Sequence, residues 1–207
     1  MFATISPKGL NARVRSDINP VISDYLNRNG KKILDIGCGK DKMPGSLGVD
    51  SNPRSDADII HDLEAFPYPF PDKAFDEIRA ISVIEHLSDV VATMEELHRI
   101  TKTGGVLKIL VPFFTSRYGF TDITHKHLFT SMSFDYFVPE ESLGRYRYSD
   151  RVFKKLKVEY EPLPTVYRSR FQRPLVWMAN RKKGFYENYL AHIFPLHDIY
   201  FELEVVR

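Results

Sequence analysis

Short apolar runs broken by glycine, proline and charge recur along the first half of the chain. Ile33, Leu34 and Ile36 form one run with Asp35 inside it, the pattern of a strand buried on both faces of a parallel sheet. The same pattern places strands at residues 47–49, 57–60, 77–80 and 106–111. Helical spacing appears in two stretches. Residues 19–29 carry Val21, Ile22, Tyr25 and Leu26, with Pro20 at the start and Gly30 just beyond, which predicts a short amphipathic helix capping the sheet. Residues 90–101 put Val90, Met94, Leu97 and His98 on one face and turn Glu95, Glu96 and Arg99 to water; Thr103, Gly104 and Gly105 are expected to end this helix. Strands alternating with connections predict an α/β sheet that takes ligands at its carboxyl edge.

After Pro112 the pattern changes. Residues 113–151 are rich in aromatics, histidines and turn formers without a long helical period, so they predict an insertion over the carboxyl edge where substrate contacts fall. Residues 156–160 and 201–206 predict the last two strands, and residues 167–196 between them a mostly helical, basic and aromatic excursion. No repeat or low-complexity linker divides the chain.

The densest chemistry lies in KILDIGCGKDKMPGSLGVD, from Lys32 to Asp50. Gly37 and Gly39 follow a strand directly, and a turn without Cβ atoms lets backbone approach a bound molecule. Asp50 ends the next strand, where its carboxylate can accept the vicinal hydroxyls of a ribose. A dinucleotide site is poorly specified, because Lys40, Asp41 and Lys42 stand where the third glycine of GxGxxG would be. The stretch from Gly39 to Leu47 is also too short for a helical crossover, which takes about a dozen residues, so a loop or single turn is expected there.

With DIGCG (Asp35 to Gly39), GVD (Gly48 to Asp50), HDLE (His61 to Glu64), FDEIRAISVIEHL (Phe75 to Leu87) and LHRITKTGGVLKILVPF (Leu97 to Phe113) in this order, the chain resembles class I S-adenosylmethionine (SAM) dependent methyltransferases. The resemblance implies a Rossmann-like, seven-stranded, mostly parallel sheet with helices on both faces. It also implies a cofactor set of Asp35, Gly37, Cys38, Gly39, Asp50, Ser51, Asp62, Leu63 and Ser82. In that set the glycines face the methionine part, Asp50 the ribose, Asp62 the adenine amino group and Leu63 the adenine ring. KDKMPGSLGVD, DLEAFPYPFPDKAFDEI and DITHKHLFTSMSFDYF further resemble a bacterial and archaeal subgroup associated with glycan or small-molecule modification. The shortened first crossover departs from the broader family; Lys40 or Lys42 can lie near the cofactor carboxylate or simply in solvent. The domain expected is single over 1–207: an N-terminal cap (1–30), a cofactor-binding core (31–111), a lid and substrate insertion (112–155), and C-terminal strands with a helical excursion (156–207).

Methyl transfer needs alignment of nucleophile, methyl and sulfur, worth up to roughly 7 to 11 kcal/mol; a base helps only if the acceptor is a hydroxyl. His125 is the first candidate base, because Asp122 three residues earlier can hold its second nitrogen; the alternative is that the two stabilise a lid turn. His86, after Glu85, is a second candidate. Asp122, His125 and His127 contain ligand types for a metal, but no second carboxylate is fixed and no metal is expected. Phe66 to Pro71 read as a stiff extended loop. Arg145, Arg147, Arg151, Lys154 and Lys155 with Tyr146 and Tyr148 read as a solvated face before a base-stacking one. Trp177, Phe185, Tyr186 and Tyr189 read as core before acceptor pocket or dimer contact.

Composition narrows the partners. With 207 residues and 43% hydrophobic positions, the chain can bury one sizeable core. A net charge of +2 gives no reason to infer a polyanionic partner, so nucleic acid is not expected. The single cysteine rules out an intrachain disulfide and fits a reducing compartment. Without a membrane-length apolar run or a signal-peptide core, a cytoplasmic location is expected. The reading is a SAM-dependent enzyme (EC 2.1.1.-) that methylates oxygen or nitrogen of a small molecule or glycan precursor, as a possible homodimer. Methylation of RNA or protein, or a SAM-binding regulator without turnover, are the alternatives.

Overall fold

The computed structural model describes residues 19–161 and 172–207. Its centre is a seven-stranded mixed sheet made of β1 (Ile33–Ile36), β2 (Leu47–Asp50), β3 (Ile59–Ile60), β4 (Phe75–Ile81), β5 (Thr101–Pro112), β6 (Phe153–Tyr160) and β7 (Asp198–Val205). The spatial order is β3-β2-β1-β4-β5-β7-β6. Every pair from β3 to β5 is parallel, and β7 runs antiparallel to both β5 and β6. Strand order reverses between β1 and β4, so their carboxyl ends open a crevice where ligands bind in open α/β sheets.

Helix α1 (Pro20–Asn27) starts with the Asn19 side chain accepting the Val21 amide. Its buried Tyr25 ties it to the sheet: the Ile33 amide donates to the Tyr25 hydroxyl at 2.9 Å, and that hydroxyl lies 3.1 Å from the Gly45 carbonyl. Between β1 and β2 there is no helix, as the length of the connection requires. Side chains brace it instead. Asp35 accepts the Met43 amide at 2.7 Å, and Asp58 accepts the Gly48 amide and the Lys42 ammonium, each at 2.8 Å. Lys42 is thereby tied down at the half-buried surface, while Lys40 is exposed.

Helix α2 (Val90–Ile100) ends before Thr101, not beyond it. Thr101 opens β5 opposite Phe75, and the next register pair is Glu77 with Val106. The residues between bulge out of the ladder, and Gly104 supplies the positive φ of 79° there rather than at a helix cap. Glu96 and Arg99 also differ from the expected solvent face. Glu96 is buried and accepts the Tyr68 amide, while Arg99 donates to the Tyr68 and Phe70 carbonyls and to Asp72. The proline-rich loop is thus stitched onto α2, with Tyr68 and Phe70 in the core.

Residues 113–152 contain only short elements: α3 (Tyr118–Thr121) and the 3-10 turns Asp135–Phe137 and Gly144–Tyr146. Strand β6 begins earlier than its apolar pattern suggests, because buried Phe153 pairs with Val205. Residues 1–18 of the expected cap and 167–171 of the expected excursion lie outside the described residues. The rest of the excursion forms α4 (Gln172–Arg181), α5 (Lys183–Phe185) and a π turn over Tyr186–Leu190. Among its described large aromatics only Tyr186 is core; Trp177, Phe185 and Tyr189 are exposed, against the packing expected for them. Lys155 is neutralised by Asp135 and Glu141 rather than adding to a basic face. Among the described residues no helix is long and apolar enough to cross a membrane.

Candidate active site

A cleft of about 340 Å³ opens at the switch point. One wall is Gly37 from the end of β1, Asp50 and Ser51 from the end of β2, and Asp62, Leu63 and Glu64 after β3; the other is Ser82, Val83, His86 and Leu87 after β4. Gly37 and Gly39 both have positive φ, 60° and 55°. Close packing also requires Gly37: a Cβ there would stand 2.3 Å from Val83 Cγ2. Ser82 carries the left-handed conformation without being glycine, at φ 52°, which places backbone strain at the cleft edge.

The structure therefore brings Gly37, Asp50, Ser51, Asp62, Leu63 and Ser82 together along one opening. Asp35, Cys38 and Gly39 stand behind the wall. Asp35 is buried, 4.0 Å from Arg79, and braces the loop through Met43. Gly39 donates its amide to Asp50 Oδ2 at 2.8 Å, and the Asn52 amide donates to Oδ1 at 2.7 Å. An ionised carboxylate has about four acceptor sites, so two remain for a ribose. Cys38 is buried, and its thiol is pushed up to about 11 by that burial and by the charges of Asp35 and Asp50.

Residues 124–127 pack against both sides of the opening. Lys126 donates to Glu64 Oε1 and Ser88 Oγ, each at 2.7 Å, and its hydrogen bond holds Glu64 below its ordinary range. The amides of Lys126 and His127 donate to the Glu85 carbonyl at 2.8 and 3.3 Å, which seats this segment on the turn after β4. His125 and His86 then meet, with ring centroids 4.6 Å apart.

The expected hydrogen bond between Asp122 and His125 is replaced by another arrangement. Asp122 Oδ1 accepts the Thr124 amide at 2.9 Å and the Thr124 hydroxyl at 2.7 Å, a local turn that points the carboxylate back into its own loop. Thr124 Oγ1 lies 2.8 Å from His86 Nδ1. Its one proton goes to Asp122, so His86 Nδ1 must carry a proton and donate, leaving Nε2 with the free lone pair. His125 Nδ1 lies 3.1 Å from the Gly119 carbonyl, which only accepts, and this fixes the same tautomer. Burial, and then His125, hold His86 below the ordinary histidine range.

Sequence reading passed over Val83, Glu64, Thr124 and the Glu85 side chain. The signal for Glu85 was its place in EHL, but its burial comes from tertiary packing that includes residues 126–127.

A mostly parallel sheet with this strand order, a glycine turn after β1 and an acid at the end of β2 define a Rossmann-like methyltransferase fold. A methyltransferase-domain family model matches residues 10–147, more than half of the chain, and the chain belongs to that family. A SAM-dependent methyltransferase from Archaeoglobus fulgidus is similar at a TM-score of 0.54 and 20% identity, with 96% of this chain and 94% of that one covered. One from Mesorhizobium loti gives 0.53 and 15%, covering 93% and 96%. Phosphoethanolamine N-methyltransferase 2 of Haemonchus contortus, in complex with SAM, gives 0.51 and 17%, covering 99% of this chain and 54% of that one. In sequence, 40 residues are 48% identical to an uncharacterized methyltransferase of Schizosaccharomyces pombe, a match over 19% of this chain and 14% of that protein.

Proposed function

We propose that the chain transfers a methyl group from SAM to an oxygen or nitrogen of a small molecule or glycan precursor. The observation that carries this is the cleft itself, which runs from Asp50 and Asp62 on one side of the switch point to His86 on the other. Its residues suit the cofactor. Gly37 gives close backbone approach, Asp50 keeps acceptor sites for a ribose, Leu63 is an apolar surface for a base, and the volume lies within the range of about 300 to 1,000 Å³ usual for ligand pockets. Bound there, SAM supplies a methyl activated by its sulfonium, and the departing bond leaves its electron pair on sulfur.

The acceptor then lies against Ser82, Val83, His86 and Leu87. The fixed tautomer of His86 offers a lone pair to the acceptor's O–H or N–H, which orients the nucleophile. His125 packs against it, and the ion pair of Lys126 with Glu64 spans the edge of the opening.

Calorimetric titration with SAM, S-adenosylhomocysteine and NAD tests the cofactor, followed by an acceptor panel of sugars and small hydroxyl and amino compounds. Micromolar binding of the first two alone, with methylated product from the panel, is the expected result. Binding of NAD alone, or of none by folded protein, overturns it.

A further inference from the structure

We infer that Glu85, His86 and His125 form a binding site for a divalent transition-metal ion of the zinc class, opening on the acceptor side of the cleft. One donor atom from each residue lies within 4.8 Å of the other two, and among the described residues these are the side chains of metal-ligating type that converge in this way. The approach of His125 Nε2 to Glu85 Oε1 is 4.0 Å, beyond hydrogen-bonding range.

Glu85 supplies the independent observation. It is fully buried, yet neither carboxylate oxygen has a hydrogen-bond partner. Leaving such a group unsatisfied costs free energy whether it is charged or neutral. A cation between Glu85 and the two imidazoles would remove that cost.

The imidazoles are prepared for that cation. Histidine ligands characteristically donate their second N–H to a carboxylate, carbonyl or other fixed acceptor, which sets the tautomer and aims the lone pair. Here His86 donates to Thr124, itself bonded to Asp122, and His125 donates to the Gly119 carbonyl. Both Nε2 atoms are left as free donors of electron pairs. Two imidazoles and one carboxylate suit zinc, iron, cobalt or nickel better than magnesium or calcium, which prefer all-oxygen shells. Ligand bonds of about 2.0 to 2.2 Å put donors roughly 3 to 3.5 Å apart, so side-chain rotations of about 1 Å would close the set. Asp122 and His127 are not part of it.

Three protein ligands leave positions open, and His86 lies on the cleft. An acceptor hydroxyl taken up there would lose its proton to solvent more readily, and the resulting oxyanion would attack the methyl carbon as the carbon–sulfur bond breaks, its electron pair staying on sulfur. With His86 Nε2 on the metal, the ion takes the place of that nitrogen's hydrogen bond to the acceptor; this role rests on the methyltransferase reading, and the metal site itself does not.

The test uses the whole chain, stripped with chelator, with Zn²⁺ followed by calorimetry and Co²⁺ by visible absorption. One equivalent bound at micromolar affinity or tighter is expected, with His125→Ala and Glu85→Gln each weakening it by at least about 10- to 100-fold. Should Glu85→Gln fail to fold, His125→Ala carries the comparison. No uptake by the stripped chain, or uptake unchanged in the folded variants, overturns the site and leaves Glu85 as a buried acid. S-adenosylhomocysteine titrated alongside separates the two readings: metal uptake without nucleoside binding upholds the site and removes methyl transfer, and nucleoside binding without metal uptake does the reverse.

Discussion

The carboxylate of Asp50 accepts the amide of Gly39 at 2.8 Å, so the acid that ends β2 holds the glycine turn that ends β1. The residue read as a ribose ligand is also a clamp on the loop that would carry the methionine part of the cofactor. Removing it strikes at both.

We therefore expect Asp50→Ala to weaken SAM binding by roughly 1.5 to 3 kcal/mol, the order for charged hydrogen bonds. Calorimetry on a variant shown to be folded checks it. Unchanged affinity would remove Asp50 from the ribose role.

Gly37 is expected to tolerate no side chain. Gly37→Ala adds a Cβ 2.3 Å from Val83 Cγ2 at a φ of 60°, combining left-handed strain of about 1 to 2 kcal/mol with overpacking of about 1 to 3 kcal/mol. The melting temperature should fall by roughly 5 to 15 °C for a chain of this size. Adding Val83→Ala should recover the overpacking part and not the strain, a coupling that thermal melts of the four proteins measure.

Thr124 links Asp122 to His86, and its hydroxyl sets the imidazole tautomer. Thr124→Val should lower turnover by about 10- to 100-fold without changing SAM affinity, and Thr124→Ser should restore it. Equal turnover in all three proteins would reduce the link to a loop contact. Nitrogen NMR of the His86 ring gives a second readout, since only the valine variant should shift the proton off Nδ1.

Glu77 is buried between Lys31 at 2.7 Å and Lys108 at 2.9 Å. Burial opposes its charge, but the two lysines outweigh it and hold the carboxyl below its ordinary value. A depressed folded pKa means the stabilisation is present above the unfolded value and is lost as pH falls through the folded one. Glu77→Gln should thus cost roughly 1.5 to 3 kcal/mol at neutral pH. The gap between the two melting curves should close in acid, below the usual glutamate range; a gap independent of pH would refute the assignment.

Much of the architecture was readable before any coordinates. The apolar runs at Ile33–Ile36 and 47–49, and a link too short for a helix, gave the core strands and their bare crossover, because burial on both faces leaves a plain mark. TKTGG misled, since Thr103, Gly104 and Gly105 satisfy the chemistry of a helix stop as well as that of a strand bulge; pairing with Phe75 decides between them, and no local signal reports that. The site divides in the same way. Gly37 follows β1 and Asp50 ends β2, and both were visible from the residues, while Asp62 was reached through the family resemblance. Asp122 and His125 had the right spacing for a pair, but the Asp122 turn captured the carboxylate first. The burial of Glu85 depends on the backbone of Lys126 and His127 packing onto it, which is a property of the tertiary structure and not of the EHL triplet.

The bare crossover between β1 and β2 has an electrical meaning. A helix in that place would turn the positive end of its dipole toward the ligand, a arrangement suited to phosphate. Here the amides of Gly39, Met43 and Gly48 are spent on aspartates, and Asp50 and Asp62 line the opening. The floor of the cleft is thus negative, more hospitable to a positively charged sulfonium than to a pyrophosphate, and it loses part of its grip once that positive charge has left.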